Sequence, residues 1–343
     1  MSRRCWWPLA LLAISSAASA AVPISGERIL LPGTPLSTDQ FVPSRDRLYV
    51  LDTDGHRVLV YRSGTTLWRQ IGQIGQEDGN FYYPSEIAVD PSGTLYVFEN
   101  ASGRVQLFDR SCRLIARLWL PPKCTGFAVN SKGEIHTFMP GSEALITVFD
   151  RRGQMVRSFG ARKRLSDFYG TSINAVEDEK TKIAINRCWI AADREDNVYV
   201  AFVGAPYIAK YNSAGRLLFE RRIPGREADE VFEKFARDHK WNARRTVAGD
   251  GSSTPYITTG FCIDSDRAQM YVSIQAGSTW VYTGDLKGNP IGVIEPVAKG
   301  NIANIAVSED GGSLYAVRIS TKVRHDMYRF PLAVTKTTKG ATR

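Results

Sequence analysis

One pattern recurs six times along these 343 residues and leaves few ways to fold them. A short apolar strand centred on a small residue leads into an Asp or Asn turn with Gly. An aromatic-Val strand, a polar loop, a third strand ending in Phe or Tyr, and a fourth strand follow. The clearest copy runs Ile87-Ala88-Val89-Asp90-Pro91-Ser92-Gly93-Thr94-Leu95-Tyr96-Val97 and continues with Arg104-Val105-Gln106-Leu107-Phe108-Asp109. Others begin at Phe127-Ala128-Val129, Ile190-Ala191-Ala192, Phe261-Cys262-Ile263 and Ile305-Ala306-Val307, and an eroded first copy keeps Leu48-Tyr49-Val50 and Arg57-Val58-Leu59-Val60-Tyr61. Anchored on Tyr49, Tyr96, His136, Tyr199, Tyr271 and Tyr315, the copies lie 47, 40, 63, 72 and 44 residues apart, so a base period near 40 survives two insertions.

A period of that size with four short strands is one blade of a β-propeller. The chain is therefore predicted to be all-β, a six-bladed β-propeller forming one domain over residues 21–343, with insertions at about 161–186 and 225–258. Innermost strands crowd around a central channel, which explains Ala88, Ala128, Ala191 and Ala306. Middle strands pack blade against blade, which suits Tyr, Val, Phe and Leu at period two. Asp-Pro-Ser-Gly and Asn-Ser-Lys-Gly close the first hairpins, Gly taking the positive φ. The final segment, 302–332, supplies at most four strands, and its edge must be covered. The segment 24–31 is the predicted donor that joins the last blade and pins the ring shut.

Residues Gly75-Gln76-Glu77-Asp78-Gly79-Asn80-Phe81-Tyr82-Tyr83-Pro84-Ser85-Glu86-Ile87-Ala88-Val89-Asp90, continued by Arg104 to Asp109, resemble an NHL repeat almost end to end. The other blades keep part of the pattern. The resemblance implies an NHL-repeat six-bladed propeller, and a role in joining blades for Arg57 and Arg104, which match the repeat's arginine. The family's Asp-rich start to the loop after the second strand is replaced by Phe98-Glu99-Asn100, so a ligand site does not carry over with it.

Met1-Ser2-Arg3-Arg4, the apolar stretch from Trp6 to Ile14 and Ser15-Ser16-Ala17-Ala18-Ser19-Ala20 follow the order of a secretory signal peptide. They predict cleavage after Ala20 and a periplasmic or secreted protein. The apolar stretch falls short of the ~20 residues that span a bilayer, so no transmembrane segment is expected in the mature chain. A monomer is expected. Lys and Arg number 44 against 35 Asp and Glu, and 42 remain once Arg3 and Arg4 leave with the leader. That balance suits anionic envelope polymers, or simply solubility. Export argues against nucleic acid despite Arg162-Lys163-Arg164.

The first insertion carries that basic triplet and then Glu177-Asp178-Glu179. In the second, Val231, Phe232 and Phe235 fall at helical spacing, with Glu227, Asp229 and Glu230 ahead and Arg237 and Lys240 behind. This is the one helix expected, at about 226–245. Both insertions follow a fourth strand and so emerge with the loops between second and third strands, on the face where long loops bind partners or cap the channel. Export permits disulfides. Cys112 and Cys124 bracket a whole outer strand, roughly 25 Å at ~3.3 Å per residue against the ~6 Å between bridged Cα atoms, so they should not pair. Cys124 and Cys188, each just ahead of an innermost strand, are the candidate bridge if one forms, and Cys262 reads as a buried small hydrophobe.

The histidines His56, His136, His239 and His325 show no metal-ligand spacing, and serine nucleophile elbows, Walker loops and Cys-x-x-Cys pairs are absent. The repeat alignment places Gln40, Glu86, Gly126, Trp189, Gly260 and Asn304 around the channel mouth. One acid and two amides make a thin ring for Ca²⁺, which takes about six to eight oxygens, so no cofactor is predicted and Ca²⁺ is the metal to test. Asp52-Thr53-Asp54-Gly55 reads better as an Asp-Gly turn than as a calcium loop. Candidate ligand-binding residues are Gln40, His56, Glu86, Trp189, Tyr207 and Asn304, with Trp189 and Tyr207 suited to stacking on a sugar or peptide, although inter-blade packing accounts for them equally well. No catalytic residue is assigned. The leading reading is an exported recognition scaffold for a protein, peptide or glycan on the loop-rich face. The alternative is a propeller lyase or hydrolase using a channel-mouth metal, since the fold hosts both.

Overall fold

The computed structural model describes residues 21–33, 35, 37, 40–62, 65–169, 179–230, 257–276, 278–297, 302–318 and 326–332. The expected leader at 1–20, His239, His325 and most of the second insertion lie outside the described residues.

Six small antiparallel sheets stand in a ring, one for each repeat. The blades span 40–71, 86–119, 125–161, 188–222, 258–297 and 302–331, and within each the strands pair in chain order. Six apolar clusters fill the six seams, so each blade buries both of its faces. At the seam between blades two and three, for example, Phe98 stacks on Phe127 at 5.4 Å between ring centroids.

Where first and second strands join, and again where third and fourth join, one device sets the register. Asn130 Oδ1 accepts the backbone N–H groups of Lys132 (3.0 Å) and Glu134 (2.9 Å), and Asp150 Oδ1 those of Arg152 (2.8 Å) and Gln154 (2.9 Å). Such Asx turns hold the hairpin and leave its fourth residue at positive φ, a position taken by Gly133, Gly153 and Gly215. Cys112 occupies the same place in the Asp109 turn, at φ 61°. This hairpin face is also laced from blade to blade. Arg45 donates to the Pro91 carbonyl (3.0 Å), Arg151 faces Asp90 (3.6 Å), Ser131 donates to Asp196 (2.8 Å), and Arg194 pairs with Asp266 (2.7 Å).

Closure follows the predicted route with a difference. Glu27–Ile29 pairs antiparallel with Asp326–Pro331 and completes the last blade, which supplies three strands of its own among the described residues. The strand just before it, Val22–Ser25, instead runs parallel to Pro290–Val297 on the fifth blade. The N-terminal segment thus clasps two blades, crossing between them at Gly26, where any Cβ would run into the buried Phe330 ring.

The first insertion differs from the expectation of a single helix in the chain. It holds α1 (Leu165–Tyr169) and α2 (Glu179–Asn186), whose Leu165, Phe168 and Ile185 pack on the cluster between blades three and four. The expected helix of the second insertion begins at 226 and is described to 230. Cys112, Cys124, Cys188 and Cys262 are free thiols, so neither the disfavoured pair nor the candidate Cys124–Cys188 bridge is formed. Cys124 and Cys188 are buried, while Cys262 is only partly so.

Candidate functional site

The innermost strands of all six blades line a central cavity of about 310 Å³. Gln40, Glu86, Gly126, Trp189 and Asn304 lie on its wall. Gly260 is not on the lining; there the innermost strands of blades five and six approach so closely that a Cβ would sit 2.8 Å from the Ile305 nitrogen.

The polar groups at the mouth are turned sideways. Gln40 Oε1 accepts from Ile87 N (2.6 Å), Glu86 Oε1 accepts from Gly126 N (3.0 Å), and Trp189 Nε1 donates to the Thr258 carbonyl (3.1 Å). Each side chain reaches from its own blade to the next, so three equivalent repeat positions, in blades one, two and four, act as staples across their seams. Burial pushes the Glu86 carboxyl up to about 7, against the pull of the Gly126 and Phe127 N–H groups and the Arg187 charge. A carboxyl raised in this way is able to exchange a proton at the channel wall near neutral pH. Burial likewise pushes up the thiols of Cys124, to about 11, and Cys188, which makes both poor nucleophiles. Among the described residues no three His, Cys, Asp or Glu side chains gather into a group that could hold a metal.

Tyr207 and His56 stand apart from the channel. Tyr207 packs against Phe168 of α1 at 5.1 Å between centroids, which uses its ring inside the insertion's core. His56, buried and at φ 54°, ends the loop between second and third strands of blade one. Its Nδ1 accepts the backbone N–H of Tyr83 (3.0 Å). Its ring supports two tyrosines that sequence reasoning left aside. Tyr82 stacks on it (5.8 Å, 26°), Tyr83 meets it edge-on (4.4 Å), and the two tyrosines lie 5.1 Å apart at 83°. Each is 49% exposed.

A buried network fixes this platform from behind. Glu99, only 2% exposed, accepts from the Tyr82 backbone N–H (2.6 Å) and from Arg104 Nη2 (2.9 Å). Arg104 also donates to the carbonyls of Gln76 and Asn80, so it ties the whole loop between blades one and two. Arg57 repeats the arrangement in blade one, pairing with Asp52 (2.8 Å) and reaching the Gly33 carbonyl (3.2 Å). Asp52 accepts from Ser37 N and Gly55 N as well, which makes it the anchor of a turn.

A second cavity, also about 310 Å³, opens on the flank between blades four and five over Phe219, Met270, Val272 and Val293.

No family model matches the chain. Over 130 residues, 36% of the chain, it is 25% identical to the protein named brain tumor of Drosophila melanogaster, and the match spans 12% of that protein. Among solved structures, a Bacteroides fragilis protein inferred to be exported is similar with a TM-score of 0.56 at 12% identity, covering 90% of this chain and 94% of that one. The WD40 repeats of RRP9 give 0.54 at 12% identity over 90% and 99% of the two chains. A streptogramin B lyase gives 0.50 at 9% identity over 89% and 96%. At such identities the likeness is one of fold alone: this chain is a six-bladed β-propeller, and no helix among its described residues is long and apolar enough to cross a membrane.

Proposed function

We propose that the chain is an exported, NHL-like recognition scaffold that binds a protein, peptide or glycan on its loop-rich face, with Tyr82 and Tyr83 as the principal contacts. The observation that carries this reading is the pair of half-exposed rings held rigid by His56, Glu99 and Arg104. Rigid aromatic surface loses little entropy on binding and stacks well on sugar faces, prolines and other rings. The mouth side chains support the same view, since Gln40, Glu86 and Trp189 direct hydrogen bonds to neighbouring blades. Glycan and peptide arrays probed with the wild-type chain and with Tyr82→Ala/Tyr83→Ala test the reading. Binders lost in the double variant at unchanged melting temperature would support it; binders retained by the double variant would remove the platform from the proposal. Export rests on the leader-like residues 1–20, and cell fractionation of the full chain tests it.

A lyase or hydrolase is the second reading, and Glu86 is the observation in its favour. A carboxyl poised near neutrality beside a cavity is a common catalytic arrangement. Stoichiometric Ca²⁺ or Zn²⁺ in the purified protein, lost in Glu86→Ala, would favour it over the scaffold.

A further inference from the structure

A different group of side chains stands on the hairpin face, opposite the mouth, at the seam between blades one and two. Trp68 lies on the outermost strand of blade one, Thr66–Ile71. Three guanidinium groups surround its ring: Cζ of Arg62 is 3.8 Å from the centroid, that of Arg47 4.3 Å and that of Arg69 5.4 Å. Arg47 and Arg62 are direct cross-strand partners, an arrangement in which like charges repel.

Compensating acid is scarce. Asp46 lies 3.9 Å from Arg47 and 3.7 Å from Arg110 and is itself 59% exposed. Arg62 and Arg69 make no hydrogen bond or ion pair with a described residue; their contacts are with the indole. The Arg47 side chain is only 7% exposed; its Nη1 donates to the Arg110 carbonyl and to the Tyr49 hydroxyl (3.4 Å), while its Nε, like that of Arg62, is buried without a hydrogen-bond partner. A buried charged donor left unmet is costly, so the arrangement calls for an acceptor. The Cys112 thiol reports the same convergence: burial pushes it up, and Arg47, Arg69 and Arg62 all draw it down.

Stacking on an indole orients guanidinium planes, and the N–H edges of Arg62 and Arg69, which no described residue takes up, suit oxyanions in paired hydrogen bonds, with the partly engaged Arg47 adding its charge behind them. A tetrahedral oxyanion has enough acceptors to meet three such groups at once. We propose that Arg47, Arg62 and Arg69, gathered about Trp68, form a binding site for a phosphate-type oxyanion, either free in solution or carried on a lipid headgroup.

Calorimetric titration of the wild-type chain with inorganic phosphate, together with thermal unfolding in phosphate and in chloride at matched ionic strength, tests this. Phosphate is expected to bind and to raise the melting temperature above the chloride control. Arg62→Ala and Arg69→Ala should each weaken phosphate binding by roughly tenfold or more, the worth of one charge-assisted hydrogen bond. Arg69 is exposed, so its variant should fold even if the Arg62 variant does not. Without phosphate, Arg69→Ala should not melt below wild type, because one of three repelling charges is gone and the side chain removed is exposed. Arg216→Ala, an exposed charge on blade four, is the control and should leave binding unchanged. Vesicles of phosphatidic acid in phosphatidylcholine separate the two sources. Sedimentation with wild type but not with Arg69→Ala, reversed by phosphate, assigns the headgroup; phosphate binding without sedimentation assigns the soluble ion. Equal effects of phosphate and chloride on the wild type, or wild-type phosphate affinity in the arginine variants, would overturn the site.

Discussion

Replacing His136 by Phe should make the protein progressively more stable relative to wild type as the pH falls, and the size of the gain follows from where the ring sits. The imidazole is 1% exposed, and neither nitrogen makes a hydrogen bond of acceptable geometry with a described residue. It lies beside the Glu134–Arg157 pair (2.7 and 2.8 Å) and edge-on to Phe159. Burial, with help from the Arg157 charge, holds its pKa down at about 4 from the ordinary 6.5, while Glu134 and Asp196 pull the other way without prevailing. The unfolded chain therefore takes up a proton, between about pH 6.5 and pH 4, that the folded chain refuses. Stability is intact above that window and is lost as the pH falls through it. At ~1.36 kcal/mol per pH unit the loss reaches about 3 kcal/mol by pH 4. Glu86 works in the opposite sense. Its folded pKa is raised to about 7 from 4.5, so the folded chain keeps a proton the unfolded chain has released, and stability falls as the pH rises across that range. The two slopes oppose each other, and a wild-type profile alone can look flat. The assay is therefore the urea midpoint, converted to free energy, for wild type and His136→Phe from about pH 7.5 to about pH 4. The gap between the two chains cancels Glu86 and any packing change the new ring brings. It should widen in the variant's favour by about 3 kcal/mol; a gap that does not move with pH would refute the buried neutral imidazole.

Removing residues 21–29 strips four paired positions from blade five and three from blade six. At ~1 kcal/mol per hydrogen bond the loss is on the order of 5 kcal/mol, read as a fall in melting temperature, and an unchanged value would contradict the clasp. Cys112→Gly and Gly215→Ala alter the same turn position in opposite directions. The first relieves a left-handed residue and should be neutral or stabilising by up to about 1 kcal/mol. The second adds strain and puts a Cβ 2.6 Å from the Phe159 ring, costing roughly 1–3 kcal/mol in denaturant titration. Arg104→Ala leaves Glu99 buried without its cation and should cost about 3–5 kcal/mol, with faster proteolysis within 72–85. Arg57→Ala should cost less, because Asp52 retains two backbone donors.

The ring was legible because its two strongest demands leave marks in the sequence. Small residues at Ala88, Ala128 and Ala306 reflect crowding at the axis, and Asx turns ending in Gly recur at one offset from Asp90, Asn130, Asp150, Asn212 and Asp285. The clasp was legible only in part. Val22–Ser25 is mostly exposed and shows no alternation, so nothing local tells it to leave blade six for blade five. The helices α1 and α2 escaped notice for a related reason. Their sequences, Leu-Ser-Asp-Phe-Tyr and Glu-Lys-Thr-Lys-Ile-Ala-Ile-Asn, carry little amphipathic period, and they are held by Leu165, Phe168 and Ile185 on a seam whose position depends on the whole ring.

The mouth and the platform differ in what a repeat can reveal. Alignment finds Gln40, Glu86 and Trp189 because they occupy one position in the copies of blades one, two and four, and their shared behaviour is to fasten each of those blades to the next. A task repeated in several blades is structural almost by construction, since it serves the seams and a ligand does not need it. The two adjacent tyrosines ahead of the second innermost strand occur once in the chain, and their support comes from His56 in a loop of another blade. Such a contact has no period and no fixed sequence offset, so alignment passes over it. In a fold made of copies, the departures from the repeat are the positions free to acquire a binding role, and the exposed pair at Tyr82 and Tyr83 is a departure that a buried network anchors from behind.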